Sequence, residues 1–235
     1  MPPIPPITKY LMIACTAIYA LQELFGGRLL EPWFALFSLG SGAFMPWQAV
    51  SYAFLHGSIG HLFFNMLGLW MFGSELERVW GFKRYWHFLL AGVLAAAATQ
   101  LLVAAASGMN VVTIGASGAI FALLLAYALT FPRREFDLVG FLPMLLLMVP
   151  SQTLNIIGAV LYVMLLTNRQ AVPIPPVHVR ALTMVGIYGV IELVMGFVDS
   201  GSVAHFAHLG GMVGGFLMIR YWRGQPPFGL GGRRR

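Results

Sequence analysis

The chain has 235 residues, of which 59% are hydrophobic and only 9% are charged, where a soluble domain carries roughly a quarter charged. That balance excludes a soluble enzyme, a disordered tail, a nucleic-acid reader and a disulfide scaffold. The net charge of +6 is a matter of membrane orientation, and Cys15, the single cysteine, cannot form an internal disulfide.

A membrane span needs about 20 mostly apolar residues. In chain order, such segments lie at 7–27, 61–77, 85–106, 114–131, 181–198 and 205–222. The predicted fold is therefore an all-α polytopic membrane protein, one six-span domain over residues 1–235. Six spans place both ends on one side, together with all of the 14 Lys and Arg residues except Arg28. The positive-inside rule makes that side the cytoplasm, and the Arg233–Arg235 cluster is then a topology anchor rather than a nucleic-acid contact. No cleavable signal is expected, because no charge precedes Lys9 and cleavage near Cys15 would delete half of the first span. A bacterial inner membrane is the expected home.

The outer segment at 28–60 is long and rich in rings and turns (Trp33, Phe34, Phe37, Phe44, Pro46, Trp47). Such a loop is expected in the membrane interface, where aromatic side chains settle. A seventh apolar stretch, 138–167, is interrupted by Pro143, Pro150 and the Ser151–Gln152 pair. Basic residues flank it on both sides (Arg133, Arg134 and Arg169), so it crosses an even number of times or not at all. Two crossings need about 40 residues, more than it has. A re-entrant or interfacial helical hairpin broken at Pro150–Ser151 is expected.

Polar side chains inside a membrane are functional candidates by default. Three clusters stand at the outer ends of their spans: His56 to Asn65, Gly115 to Ala119, and Ala204 to Gly215. His61 and Asn65, four apart, share a helix face. Gly118, Ala122 and Ala126 make a small-residue face on the fourth span, and Gly211 and Gly215 make one on the sixth. Such faces let backbones approach closely, which would bring Ser117 within hydrogen-bond reach of His208. A histidine base activates a serine nucleophile. The Ser117 N–H at a helix start, with the side chains of His61 and Asn65, could receive an oxyanion.

No acid is visible where a third triad member would stand. Asp199 lies in an outer loop and Glu192 in the fifth span, and neither is assigned to the chemistry. A Ser–His dyad is the economical reading. Phe121, four residues after Ser117, either stacks on His208 or simply packs in the core. His56 is expected to brace the outer loop, and His205 to be a structural histidine nearer the surface than His208. His87 and His178 carry no motif. A metal site from His56, His61, His205 and His208 is chemically conceivable, but there is no HExxH and no carboxylate belongs to that set. No metal or other cofactor is expected.

At these residues the chain resembles the rhomboid family of intramembrane serine proteases. HxxxxHxxxN is met by His56, His61 and Asn65. GxSG is met by Gly115, Ser117 and Gly118. AHxxGxxxG is met by Ala207, His208, Gly211 and Gly215, a register that His205 fails. A Glu-Arg pair, Glu77-Arg78, closes the second span as in that family. The resemblance covers about residues 45–135 and 175–222. It implies a six-span core, a water-filled cavity open to the outside, and cleavage of other proteins' transmembrane segments near their outer ends. It carries the catalytic roles to Ser117 and His208 and the oxyanion roles to His61, Asn65 and Ser117, with Gly115 beside them. The stretch 138–167 is the one clear departure from the family pattern. Competing readings are a non-enzymatic relative that binds transmembrane helices, which typically lacks the serine or histidine kept here, and a transporter, for which only Glu192 speaks.

Overall fold

The computed structural model describes residues 3–26, 29–143, 146, 151–171, 174–198 and 204–226. Arg28, Pro150, Asp199 and Arg233–Arg235, all used in the sequence reading, lie outside the described residues. The described chain is mostly helical. Helix α1 runs Pro6–Leu24, followed in the long loop by the short helices α2 (Glu31–Phe34) and α3 (Gln48–Ser51). Helix α4 (Ile59–Gly68) passes through a widened π turn, Leu69–Gly73, into α5 (Ser74–Ser107). Then come α6 (Ser117–Thr130), α7 (Leu138–Phe141), α8 (Gln152–Thr167), α9 (Ala181–Val198) and α10 (His205–Trp222).

Among the described residues, two helical stretches are long and apolar enough to cross a membrane: Ile59–Ser107 and Ala181–Val198. The first is one stretch only in hydrogen bonding. Gly81, at φ 73° and ψ 172°, breaks it with a backbone conformation that only glycine adopts readily. The expected second and third segments lie on either side of that break. Ser117–Thr130 and Ile156–Thr167 are shorter apolar helices.

The core lies where α5, α6 and α10 meet. A Cβ added to Gly211 of α10 would overlap the carbonyl oxygen of Gly118, and one on Gly214 would overlap the Ala95 methyl. Gly92 of α5 comes so near α6 that its Cβ would stand 3.0 Å from that of Ala122. The glycines thus bring three helices to backbone distance, of which the approach of α6 and α10 is the one that the small-residue faces predict. Apolar side chains fill in around them, with Phe88, Leu123 and Ala122 fully buried.

The first helix is held by a carboxylate. Buried Glu77 accepts the N–H groups of Ile7 (2.9 Å) and Thr8 (2.8 Å) and the Thr8 hydroxyl (2.8 Å). These are donors that a helix start leaves unpaired, and a negative charge is favoured there. The neighbouring Arg78 donates to the Pro3 carbonyl at 2.8 Å, so the Glu-Arg pair clamps α1 from both sides.

The long loop is ordered by amides. Buried Gln48 accepts from Met45 N–H (3.1 Å) and donates to the Ala43 carbonyl (3.2 Å). Trp47 donates to the Trp33 carbonyl at 2.8 Å while both rings stay exposed. Strand β1 (Leu36–Phe37) pairs antiparallel with β2 (Val112–Thr113). That pairing ties the loop to the segment leading into α6.

The extra apolar stretch is an excursion that returns to its start. Strand β3 (Glu135–Asp137) pairs antiparallel with β4 (His178–Arg180), and Asp137 faces His178. Arg169 and the N–H groups of Val139 and Val177 (3.1 Å each) all donate to the Asp137 carboxylate. Burial pushes that carboxyl up, and these donors together outweigh it and hold it below the usual range. Gly158 of α8 approaches so closely that its Cβ would stand 2.8 Å from the Pro143 carbonyl oxygen. Tyr162 is buried against Phe64 of α4, ring centroids 5.7 Å apart. The segment therefore doubles back, and α8 lies along α4.

Glu77→Ala would strand two buried backbone donors, each costing about 1–3 kcal/mol, while the Thr8 hydroxyl keeps Tyr85 at 3.1 Å. The expected loss, allowing for relaxation, is about 2–4 kcal/mol. Thermal unfolding in detergent checks it, with Glu77→Gln expected to fall between the wild type and Glu77→Ala.

Candidate active site

Three helix starts converge. Ser58 caps α4, its hydroxyl accepting from His61 N–H at 3.1 Å. This sets His61 and Asn65 on the face turned to α6. Ser117 is the first residue of α6, so its N–H is one of those without an intrahelical partner. His208 is in the first turn of α10.

Gly115 makes the convergence possible twice over. Its φ of 118° is open to glycine and disfavoured for other residues. Its missing side chain also leaves room for the α4 residues: a Cβ there would stand 2.6 Å from His61 Cε1, 2.7 Å from His61 Nε2 and 3.6 Å from Asn65 Nδ2. Gly115 N–H donates to the Tyr52 carbonyl at 2.9 Å, and Tyr52 donates its hydroxyl to the Val93 carbonyl at 2.9 Å.

The result is a serine and an imidazole in contact. His208 Nε2 lies 2.7 Å from Ser117 Oγ. Phe121 stacks on the His208 ring, centroids 4.4 Å apart and planes 7° from parallel. Of the two readings open for Phe121, stacking is the one found. Gly118 and Gly211 lie directly behind the pair, at the point where α6 and α10 touch, and Gly215 continues the contact one turn on against Phe88 and Ala122.

His56 is buried behind His61, with ring centroids 5.2 Å apart. Its backbone is gripped by Gln22 of α1, which accepts from His56 N–H (3.0 Å) and donates to its carbonyl (3.3 Å). The Gln22 clamp was not foreseen, since a lone amide in an apolar span carries no motif. Asn65 Nδ2 is buried and has no hydrogen-bond partner among the described residues.

His205 and His208 are both buried, 2% and 8% exposed. One expectation is corrected: an acid does stand beside the histidines. Glu192 of α9, 2% exposed, places Oε2 at 2.7 Å from His205 Nδ1 and 2.9 Å from His208 Nδ1. The second contact is an ion-pair separation that falls short of a full hydrogen bond. The reason lies in the fold. Ala181, Met184, Val185 and Glu192 form the buried stripe of α9, so Glu192 points at α10, and its charge draws His205 inward. A carboxylate in an apolar helix was the available signal.

Glu192, His205 and His208 also form the candidate metal cluster among the described residues, with one ligand atom from each inside 4.8 Å. The separations of 2.7 and 2.9 Å are hydrogen-bond lengths. Ligands about 2.0–2.1 Å from a tetrahedral zinc would stand about 3.3 Å apart.

A family model, the Rhomboid domain, matches residues 43–164 and 155–224. The chain belongs to the rhomboid family. As a rhomboid it is an integral membrane protein. It is 31% identical over 119 residues to proteins named Rhomboid protease GlpG from Yersinia enterocolitica and Yersinia pestis, a match covering 51% of this chain and 41% of each relative. The chain thus spans less than half the length of the curated relatives it matches.

Gly211→Ala forces α10 off Gly118 and so parts His208 from Ser117. The expected cost is about 1–3 kcal/mol, read by thermal unfolding. A structure of the variant would show the Ser117–His208 distance lengthened beyond hydrogen-bond reach.

Proposed function

We propose that this rhomboid is an intramembrane serine endopeptidase that cuts transmembrane segments of other membrane proteins near their extracytoplasmic ends. The observation that carries the reading is the 2.7 Å contact between His208 Nε2 and Ser117 Oγ, at helix starts where polar groups need a reason to be. The names of the Yersinia relatives agree with it.

In this reading His208 Nε2 takes the Ser117 proton as Oγ attacks a substrate carbonyl. The oxyanion meets the Ser117 N–H, His61 and Asn65. A buried amide nitrogen without a partner, as at Asn65, is a donor held ready for a charge that develops later. His208 then hands its proton to the leaving amine, and water repeats the cycle on the acyl-enzyme. The Phe121 stack keeps the imidazole in plane throughout.

The membrane arrangement belongs to the same proposal: six spans, both ends cytoplasmic, in a bacterial inner membrane. In this reading the excursion at 138–167 is re-entrant or interfacial, and the β3–β4 ladder that pairs its flanks supports a path that returns to the side it left. The exposed Trp33 and Trp47 suit a loop lying in the headgroup region. A substrate helix must unwind to offer its carbonyl, so helix-breaking residues near the cut favour cleavage.

A fluorescent fluorophosphonate tests the reading on purified protein in detergent. Labelling is expected in wild type and absent in Ser117→Ala and His208→Ala. Equal labelling of wild type and Ser117→Ala would reject Ser117 as the nucleophile. Asn65→Ala is expected to lower the rate of cleavage of a transmembrane substrate by about 10²–10³-fold, with thermal unfolding confirming that the variant is folded.

A further inference from the structure

Glu192 has no part in a serine–histidine dyad, yet it is built into the site. It is a carboxylate in an apolar helix, 2% exposed, and such a group is retained at a cost unless it is paired and hydrogen-bonded. Its Oε2 faces the Nδ1 atoms of two imidazoles at once, His205 at 2.7 Å and His208 at 2.9 Å. The other nitrogen of His208 faces Ser117 Oγ at 2.7 Å. Three side chains from three helices therefore stand in line: Glu192 of α9, His208 of α10 and Ser117 of α6.

We propose that Glu192 is a positioning residue that keeps the His208 proton on Nδ1 and so presents Nε2 to Ser117 as a bare acceptor. This rests on the protease reading above and deepens it. A neutral imidazole carries one proton, and which nitrogen holds it is set by what the other side offers. A carboxylate only accepts, so a nitrogen facing it must donate. When Nε2 takes the serine proton, the imidazolium forms beside a negative charge rather than in an apolar void. That the His208 contact falls short of a full hydrogen bond fits a resting site: such bonds are often loose before substrate arrives and tighten as charge develops. His205, three residues earlier on α10, supplies the shorter bond and anchors the carboxylate. His61 offers no negative charge, so the anion beside His208 among the described residues is Glu192.

The test uses full-length protein in detergent with ¹⁵N-labelled histidine. Chain His208→Ala, compared with wild type, assigns the His208 signal among the 6 histidines. Wild type is expected to show His208 protonated on Nδ1. Glu192→Gln, close in size but uncharged and able to donate, is expected to shift that proton toward Nε2. Its kcat on a transmembrane substrate should fall about 10²–10⁴-fold with KM little changed, and labelling of Ser117 by the fluorophosphonate should slow in step. Glu192→Asp, which keeps the charge, should recover part of the rate.

A wild-type His208 protonated on Nε2 would overturn the proposal, and this measurement needs no variant to fold. A Glu192→Gln protein with kcat within about twofold of wild type would overturn it too. So would a slow Glu192→Gln protein whose His208 tautomer is unchanged, which would leave Glu192 as packing support alone. One bound zinc per chain, with activity lost on chelation and restored by zinc, would make the cluster a metal site instead. If folded wild type takes no fluorophosphonate, the protease reading fails, while the tautomer measurement, which requires no turnover, still decides the role of Glu192.

Discussion

Everything at the site depends on how close α10 can come to α6. At Gly211 the α10 backbone rests on the Gly118 carbonyl, with no side chain between them. In a bilayer, lipid tails compete equally for apolar surface, so helices gain little by hiding it from one another. Close backbone packing is then a main source of association. The same contact sets a length. Ser117 precedes Gly118 by one residue and His208 precedes Gly211 by less than a turn, so the glycine contact delivers the hydroxyl and the imidazole to 2.7 Å. A methyl group on Gly211 acts at once on stability and on that distance, and one on Gly118 would press on Ala96 of α5.

Around this contact, buried polar side chains do what hydrophobic burial cannot do in lipid: they choose one arrangement among many apolar ones. Glu77 fixes the start of α1, Gln22 near its end grips His56, and Gln48 folds the outer loop. Each side chain satisfies backbone groups that have no other partner, which is the strict requirement away from water. The chain of support runs from α1 through Gln22 to the His56 backbone, then by ring contact to His61, and across Gly115 to the approach to Ser117. The loop joins the same approach through β1 and β2. A residue remote from Ser117 can therefore matter to it without touching it.

Much of this was legible in the sequence, and the reason is locality. His61 and Asn65 announce themselves by a spacing of four, Ser117 by the glycines on each side, His208 by its register with Gly211 and Gly215. Each is a pattern within one helix, and the glycines also reveal which helices meet. Glu192 was not legible as a partner of His208. It lies on another helix, 13 residues from His205, and the rotation of α9 that aims it inward follows from packing rather than from any motif. The same holds for Gln22 and for the pairing of β3 with β4, which join segments that no periodicity relates. The partner of His205 was hidden for the same reason: Glu192 stands on a helix that the local sequence does not contain.

The length of α6 places the chemistry in depth. At 14 residues it spans about 21 Å, short of a hydrocarbon layer of about 30 Å. On the proposed arrangement, with its far end at the cytoplasmic face, its start lies below the outer surface. The chain leading into it is then irregular backbone within the membrane, tolerated only where protein covers it. Thr113 and Ala116 are indeed buried, and Gly115 N–H is taken by Tyr52. The shortness of α6 and the ordered loop beside it are thus two sides of one constraint. A serine can be set beneath the surface only if the strand that reaches it has its hydrogen bonds supplied, and the outer loop is the element that supplies them.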